Sequence, residues 1–108
     1  MDGDVVVNFE GTWNVTIATP IGKQRVVLAI ESDNGQLRGR ATQGDETVSF
    51  EDVVADGDRL RWTQHVTKPL RLTVRFDVRV EAHTLSGTAK AGLFPSSPVT
   101  GERARQDG

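Results

Sequence analysis

Apolar and polar residues alternate with a period of two along most of the chain, and no long segment has the 3.6-residue period of an amphipathic helix. The clearest run covers residues 69–81, in which every second residue is apolar: Leu70, Leu72, Val74, Phe76, Val78 and Val80. The residues between them are mostly charged. A strand with one apolar and one polar face is typical of an antiparallel sheet, sandwich or barrel, and not of a parallel sheet buried on both faces.

Turn signals divide the chain into eight predicted strands, at residues 5–19, 23–32, 36–43, 46–55, 59–67, 69–81, 84–91 and 99–103. Asn34-Gly35 is the strongest of these signals, because both residues tolerate positive φ. Within the fourth strand the alternation slips at Glu51-Asp52, which predicts a β-bulge. No linker composition splits the chain. We therefore predict an all-β fold with one domain over residues 1–108.

Short connections between consecutive strands favour an up-and-down arrangement, and closure into a barrel removes the exposed edges of an open sheet. The expected fold is a small antiparallel β-barrel of about eight strands, followed by a polar tail at about 104–108. The third and seventh strands share a small-residue pattern, Leu37-Arg38-Gly39-Arg40-Ala41 and Leu85-Ser86-Gly87-Thr88-Ala89. In an eight-stranded barrel these two strands face each other, which predicts a flattened cross-section with space along one diameter.

Composition supports the β assignment and narrows the function. The chain has 14 Val against 7 Leu, and β-branched residues favour strands. The absence of cysteine excludes disulfides, thiolate catalysis and cysteine-based metal sites. A net charge of -2 argues against nucleic acid as a partner. No apolar run approaches membrane-spanning length and the N-terminus does not resemble a secretion signal, so we expect no membrane partner and a cytoplasmic location.

Gly11-Thr12-Trp13, at the head of the first long strand, resembles the G-x-W signature of the calycin barrels, which include the lipocalins and the avidin group. The resemblance implies that a basic residue on a late strand packs across this tryptophan and closes one barrel end, and Arg103 is placed for that role. The chain has no tyrosine, so the biotin site of the avidin group is not carried over. The pattern also resembles small bacterial barrel domains of unassigned role.

Several residues on the apolar faces are candidates for contact with a ligand. Inward-phased glutamines require partners, water or a ligand if they lie in the interior, and they are solvated if they lie at a barrel rim. The tryptophans offer large apolar surfaces for packing or for ligand contact. The candidate ligand-binding residues are Trp13, Gln43, Trp62, Gln64 and Phe76, with Gln24 as a third in-phase glutamine beside Gln43 and Gln64.

Catalytic candidates are fewer. Asp52 lies beside the predicted bulge, where a side chain can be redirected toward a site, although an exposed acid is the simpler interpretation. His65 titrates near neutral pH, but its phase places it on the outer face if Trp62 points inward. His83 lies in a predicted turn. The two histidines have no metal-ligand spacing, and we expect neither a metal nor another cofactor.

Three hypotheses for function follow. The first is a binding barrel that holds a small, mostly apolar or amphipathic molecule in its interior. The second is an enzyme on the same scaffold, such as an isomerase, cyclase or lyase that works mainly by shape, with Asp52 and His65 as candidates. The third is a structural or interaction module with a filled core, including a homodimer formed through the outer-face residues Val27 and Ala29. Whether the interior is open decides among them.

Overall fold

A computed structural model describes residues 8–67 and 71–104, and these residues form nine β-strands joined by turns. In chain order the strands are β1 (Gly11–Thr19), β2 (Gly22–Asp33), β3 (Gln36–Gln43), β4 (Glu46–Ser49), β5 (Glu51–Asp56), β6 (Arg59–Val66), β7 (Leu72–Glu81), β8 (Thr84–Ala91) and β9 (Ser97–Arg103). Within the described ranges there is no helix of the length and apolarity that crossing a membrane requires.

All nine strands belong to one antiparallel sheet, in the order β4-β3-β2-β1-β9-β8-β7-β6-β5. The two outermost strands, β4 and β5, are consecutive in the chain and are separated only by Phe50. The sheet therefore curls until its two edges meet, which forms a nearly closed barrel. We call this junction of β4 and β5 the seam. The predicted all-β antiparallel barrel is confirmed.

The ninth strand arises because the predicted fourth strand, residues 46–55, changes partners halfway along. Phe50 still donates its backbone N–H to the carbonyl oxygen of Gly39 on β3 at 2.8 Å. Glu51, the next residue, pairs with Thr63 on β6. The register then shifts between Glu51 and Val54, and Asp52 has a φ of 52°. The predicted bulge is present, and it lies where one strand passes from one sheet edge to the other.

Strand ends agree closely with the sequence pattern for β3 and β8, whose limits are those predicted. The hairpin before β3 turns through Asn34 and Gly35, with φ values of 53° and 80°, as a two-residue hairpin with positive φ at both positions requires. The first predicted strand begins at residue 5, but β1 begins at Gly11, and residues 5–7 lie outside the described residues. Residue 70 and the tail beyond 104 also lie outside them.

The inward faces of the strands form one apolar core. The side chains of Trp13, Leu60 and Val78 are 0% exposed. Two ends can be distinguished. We call the end at which β1 begins and β9 ends the Trp13 end. The opposite end, which carries the β1–β2 and β8–β9 connections, is the Leu93 end.

The small residues facing inward on β3 and β8 do not leave an empty space between these opposed strands. The ring of Phe50 covers Gly39 so closely that a Cβ there would lie 2.4 Å from it. At Gly87 a Cβ would lie 2.0 Å from the backbone oxygen of Asp77 on β7, because the two backbones approach closely. The predicted space over Gly39 is therefore filled by one aromatic side chain, and the close approach of the neighbouring strand β7 explains the glycine at position 87.

Gly87→Ala tests the close approach of β8 to β7. A methyl group cannot occupy this position unless the two strands separate, so we expect the free energy of unfolding to fall by about 3 kcal/mol. Gly44→Asn is the control, since nothing lies within 4 Å of that position and asparagine tolerates its φ of 63°. Urea unfolding followed by tryptophan fluorescence measures both variants. Equal stability of the two variants would contradict this account.

Candidate functional site

The Trp13 end is closed by a cation–π contact. The guanidinium carbon of Arg103 on β9 lies 4.2 Å from the centre of the Trp13 ring on β1. Arg103 also donates to the carbonyl oxygens of Glu10 at 2.5 Å, Asn8 at 2.7 Å and Ala82 at 3.3 Å. This is the packing of a late-strand arginine across the first-strand tryptophan that the calycin resemblance implied. One side chain thereby joins the segment before β1, the β7–β8 turn and β9.

The Trp13 side chain is also fixed by a hydrogen bond to the segment before β1. Its indole N–H donates to the carbonyl oxygen of Phe9 at 3.0 Å, and Phe9 is itself buried. Because Trp13 is fully buried under Arg103, it serves closure of the barrel in this structure and faces no open space. Of the five candidate ligand-binding residues, it is the one at the Trp13 end.

Three aromatic rings, from the residue between β4 and β5 and from the neighbouring strands β6 and β7, form a continuous stack. Phe50 lies on Trp62 with ring centres 4.4 Å apart and planes 11° apart, and Trp62 lies on Phe76 at 4.8 Å and 4°. Gln64, which is 5% exposed, accepts a hydrogen bond from the Trp62 indole N–H at 2.8 Å. The structure thus brings the candidates Trp62, Gln64 and Phe76 together. The sequence left open whether Gln64 lies at a barrel rim or in the interior, and the structure places it in the interior.

Gln43 lies apart from this group, at the rim of the Leu93 end. It is exposed, and its side-chain amide donates to the amide oxygen of Gln24 at 2.5 Å. This hydrogen bond links β2 and β3 at the rim, where Gln43 is exposed and Gln24 is half-buried.

The catalytic candidates Asp52 and His65 lie on the outside of the barrel, and both are exposed. The bulge at Asp52 leaves its side chain in solvent. The His65 imidazole lies 3.1 Å from the Thr73 hydroxyl and 3.5 Å from a carboxylate oxygen of Glu51. His83 is exposed in the β7–β8 turn. No group of three or more acidic or histidine side chains within residues 8–67 and 71–104 is arranged to hold a metal ion.

A surface depression of about 410 Å³ lies beside the seam, next to the β3 backbone. Phe50 lines it, and Phe50 is only half-buried although the rings behind it are buried. Phe50 therefore belongs both to the aromatic stack and to the lining of the depression. Its remaining lining residues are Ala29, Glu31, Leu37, Arg38, Gly39, Arg40 and Ser49.

Sequence reasoning did not single out Phe50, Arg38 or Arg40 as site residues. The usable signal was present, since Phe50 directly precedes the slip in alternation and Gly39 leaves room for a ring. The arginines occupy the polar face of the third predicted strand, where a solvated role is the ordinary expectation. The pairing of β2, β3 and β4 places them around one depression, with Ala29 and Ser49 both opposite Arg40 in the strand register.

A bidentate ion pair links the outer faces of β6 and β7. Arg59 donates to both carboxylate oxygens of Asp77, with the Nε contact at 2.7 Å. The hydrogen bond from Arg59 holds the pKa of the Asp77 carboxyl below its ordinary value of 3.8, and the same bond raises the pKa of Arg59. This pair strengthens the joint between the two strands that carry Trp62 and Phe76.

The fold and its site define a nearly closed antiparallel β-barrel with an aromatic stack that opens at the seam. Comparison with protein-family models, curated proteins and solved structures finds no match to this chain.

Arg103→Lys tests the closure of the Trp13 end. Lysine keeps the charge, but it cannot reach several carbonyl oxygens and lie flat on the indole ring at once. We expect the free energy of unfolding to fall by about 2 kcal/mol. Arg38→Lys is the matched control, because Arg38 is largely exposed and forms only a loose ion pair with Asp33 at 3.6 Å. Urea unfolding of both variants makes the comparison, and a similar loss for both would contradict the role of Arg103.

The Arg59–Asp77 pair predicts a defined response to acid. Because the folded protein lowers the pKa of Asp77, the pair stabilises the fold above the unfolded pKa of this carboxyl. That stabilisation is lost as the pH falls from about 4 through the lower folded pKa. Asp77→Asn should therefore be less stable than the parent at neutral pH and closer to it at pH 2. A stability difference that stays constant over this range would contradict the assignment.

Proposed function

We propose that this chain is a calycin-like binding barrel that holds a small, mostly apolar molecule in the depression beside the seam. One observation carries the proposal: Phe50, the half-buried outer member of a three-ring stack, lines a surface depression of about 410 Å³. Pockets for small molecules are commonly about 300–1,000 Å³ and combine apolar walls with a few polar groups. The contact between Arg103 and Trp13 supports the calycin assignment.

Phe50 supplies the apolar contact in this proposal. Its position is preorganised, because one face of its ring rests on Trp62 and its backbone is bonded to Gly39. A flat apolar group packing against Phe50 gains burial without a large loss of side-chain freedom in the protein. Trp62, Gln64 and Phe76 then act behind the ligand, where they hold Phe50 in place.

The polar groups of the depression favour a ligand with a polar or anionic end. Arg38 and Arg40 each bring a guanidinium group, and Ser49 brings a hydroxyl. Arginine donates up to five hydrogen bonds in a planar fork that suits carboxylate-like groups. Glu31 lies on the same rim and disfavours a second anionic group at that side. The proposed ligand is thus amphipathic, with its apolar part against Phe50.

The proposal includes a cytoplasmic location, because a fold without cysteine needs no oxidising compartment. The enzyme hypothesis keeps Asp52 and His65 as its candidates, but neither lines the depression. No observation favours it over binding.

A second candidate function, the interaction module with a filled core, is favoured by the packing of the interior. Leu60 and Val78 are fully buried, Trp62 is 2% exposed, and the Phe50 ring fills the space above Gly39. In this alternative Phe50 only completes the core. The two candidates differ in whether a molecule binds against Phe50.

Titration with 1-anilinonaphthalene-8-sulfonate, which joins aromatic rings to one anionic group, tests the binding proposal. We expect saturable binding to the folded protein, with Phe50→Leu weakening it about five-fold through loss of one ring contact. Arg40→Gln should weaken this probe but leave the neutral N-phenyl-1-naphthylamine unaffected. Fluorescence titration measures each affinity.

Phe94→Leu is the matched control, since Phe94 is a half-exposed aromatic residue that does not line the depression. Circular dichroism of each variant establishes that it is folded. Unchanged affinity in folded Phe50→Leu, or no binding of either probe to the parent, would overturn the proposal in favour of the filled interaction module.

A further inference from the structure

Three of the five exposed large apolar side chains among the described residues lie on two loops at the Leu93 end. Leu93 is 101% exposed, Ile21 is 81% exposed and Phe94 is 53% exposed. Ile21 lies in the β1–β2 turn, and the other two lie between β8 and β9. Because β1 pairs with β9, with Ile17 opposite Val99, these two loops are neighbours. Three apolar side chains therefore project from one side of one barrel end.

The β8–β9 loop has a defined local structure that presents its apolar residues. Phe94 donates its backbone N–H to the carbonyl oxygen of Ala91 at 3.0 Å, and Gly92 adopts a φ of 55°. The Lys90 ammonium group donates to the carbonyl oxygen of Phe94 at 2.5 Å. The turn is thus closed by its own hydrogen bonds, and Leu93 at its tip takes no part in the core. Its exposure is a consequence of the loop geometry.

Four exposed basic side chains lie on the parts of β2, β7 and β8 that are nearest to the Leu93 end. Lys23 and Arg25 are exposed on β2, and Arg75 and Lys90 are exposed on β7 and β8. Arg75 and Lys90 are directly opposite each other in the strand register, where like charges repel. None of the four forms an ion pair with another of the described residues.

The acidic residues near this end lie to one side of the basic group. Asp45 and Glu46 are in the β3–β4 hairpin, and Glu46 accepts a hydrogen bond from the Thr67 hydroxyl at 2.9 Å. The side of the end formed by β7, β8, β9, β1 and the start of β2 therefore combines apolar tips with uncompensated positive charge.

We propose that the Leu93 end docks on the surface of an anionic lipid bilayer. Leu93, Ile21 and Phe94 insert among the lipid headgroups and the first methylene groups, while the four basic side chains pair with headgroup phosphates and carboxylates. Insertion of a few apolar side chains alone binds membranes weakly, and so does a basic surface alone. The two together give stable attachment. The contact needs no membrane-spanning segment, and it replaces the expectation of no membrane partner for this surface.

Two observations favour a bilayer over an acidic protein as the occupant. The apolar residues are on separate projecting turns, which suits insertion into a soft interface, whereas stable protein interfaces are continuous surfaces with dense packing. The basic groups lie behind the tips on several strands, so a broad anionic plane reaches more of them than a small acidic patch does. The proposal does not depend on ligand binding at the seam.

Co-sedimentation of the full chain with vesicles tests the docking. We expect binding to vesicles of phosphatidylcholine mixed with phosphatidylserine, weak or no binding to phosphatidylcholine alone, and loss of binding at high salt. Leu93→Ser should lower the partition coefficient at least ten-fold, because a fully exposed leucine loses its insertion. The double variant Lys23→Gln/Arg25→Gln should lower the partition coefficient more than ten-fold, because each lost positive charge lowers it about five-fold.

Two variants control for general effects of the substitutions. Val54→Ser removes an apolar side chain that is 47% exposed on β5, away from the tips, and should leave binding unchanged. Arg79→Gln removes one positive charge near the Trp13 end, far from the proposed contact with the membrane. It should therefore lower the partition coefficient less than the loss of either Lys23 or Arg25 does. Circular dichroism establishes that each variant is folded.

The proposal is overturned if the protein binds neither kind of vesicle, or if Leu93→Ser and Val54→Ser weaken binding equally. Retention by soluble polyglutamate without binding to anionic vesicles would assign the surface to an acidic polypeptide instead. Because Phe50→Leu leaves the Leu93 end intact, it should bind vesicles like the parent. Failure of docking can therefore be distinguished from failure of ligand binding at the seam.

Discussion

The contact of Arg103 with Trp13 reinforces the pairing of β1 with β9, where the two ends of the strand sequence meet. An up-and-down barrel must bring the beginning and the end of its chain together, because β1 and β9 are neighbours in the sheet. Arg103 joins them through a cation–π contact and three carbonyl oxygens. On the other side of the barrel, β4 and β5 are the two ends of the strand order and are not paired with each other. Among the described strands, the seam is therefore the part of the barrel with no pairing between neighbours, and Phe50 lies at this seam.

Phe50 links the folding problem to the candidate site. Its backbone N–H donates to Gly39 on β3, and its ring packs on Trp62. The next residue, Glu51, is already paired with β6. The ring thus fills the core where the sheet changes partner, and one side of it remains accessible. A residue with these two roles explains why the interior is packed and why an apolar surface nevertheless reaches the depression. Binding at the seam and docking at the Leu93 end use different parts of the barrel.

Much of the fold could be predicted because alternation and turn chemistry act locally. The limits of β3 and β8 follow from their turns, and the slip at Glu51-Asp52 revealed the bulge. The site was less predictable. The phase of Gln64 and Gln43 was equally inward, but Gln64 is buried beside Trp62 whereas Gln43 is exposed at the rim. The position of a residue in the apolar–polar alternation of its strand shows which face of the sheet its side chain occupies. Its distance from the end of the barrel then determines whether water reaches the side chain.

The residue pattern alone is enough to predict the class of fold and the up-and-down order of the strands, because these depend on a two-residue period and on turns between consecutive strands. The closure of the Trp13 end by Arg103 was implied by the resemblance to the calycin signature. The three-dimensional structure was needed to show that the Phe50 ring fills the space over Gly39 and that Phe50 lines one depression with Arg38 and Arg40. It was also needed to show that the loops carrying Leu93 and Ile21 are neighbours. Pairing between consecutive strands is local along the chain, whereas closure of the barrel and the pairing of β1 with β9 depend on curvature and register that no local pattern records.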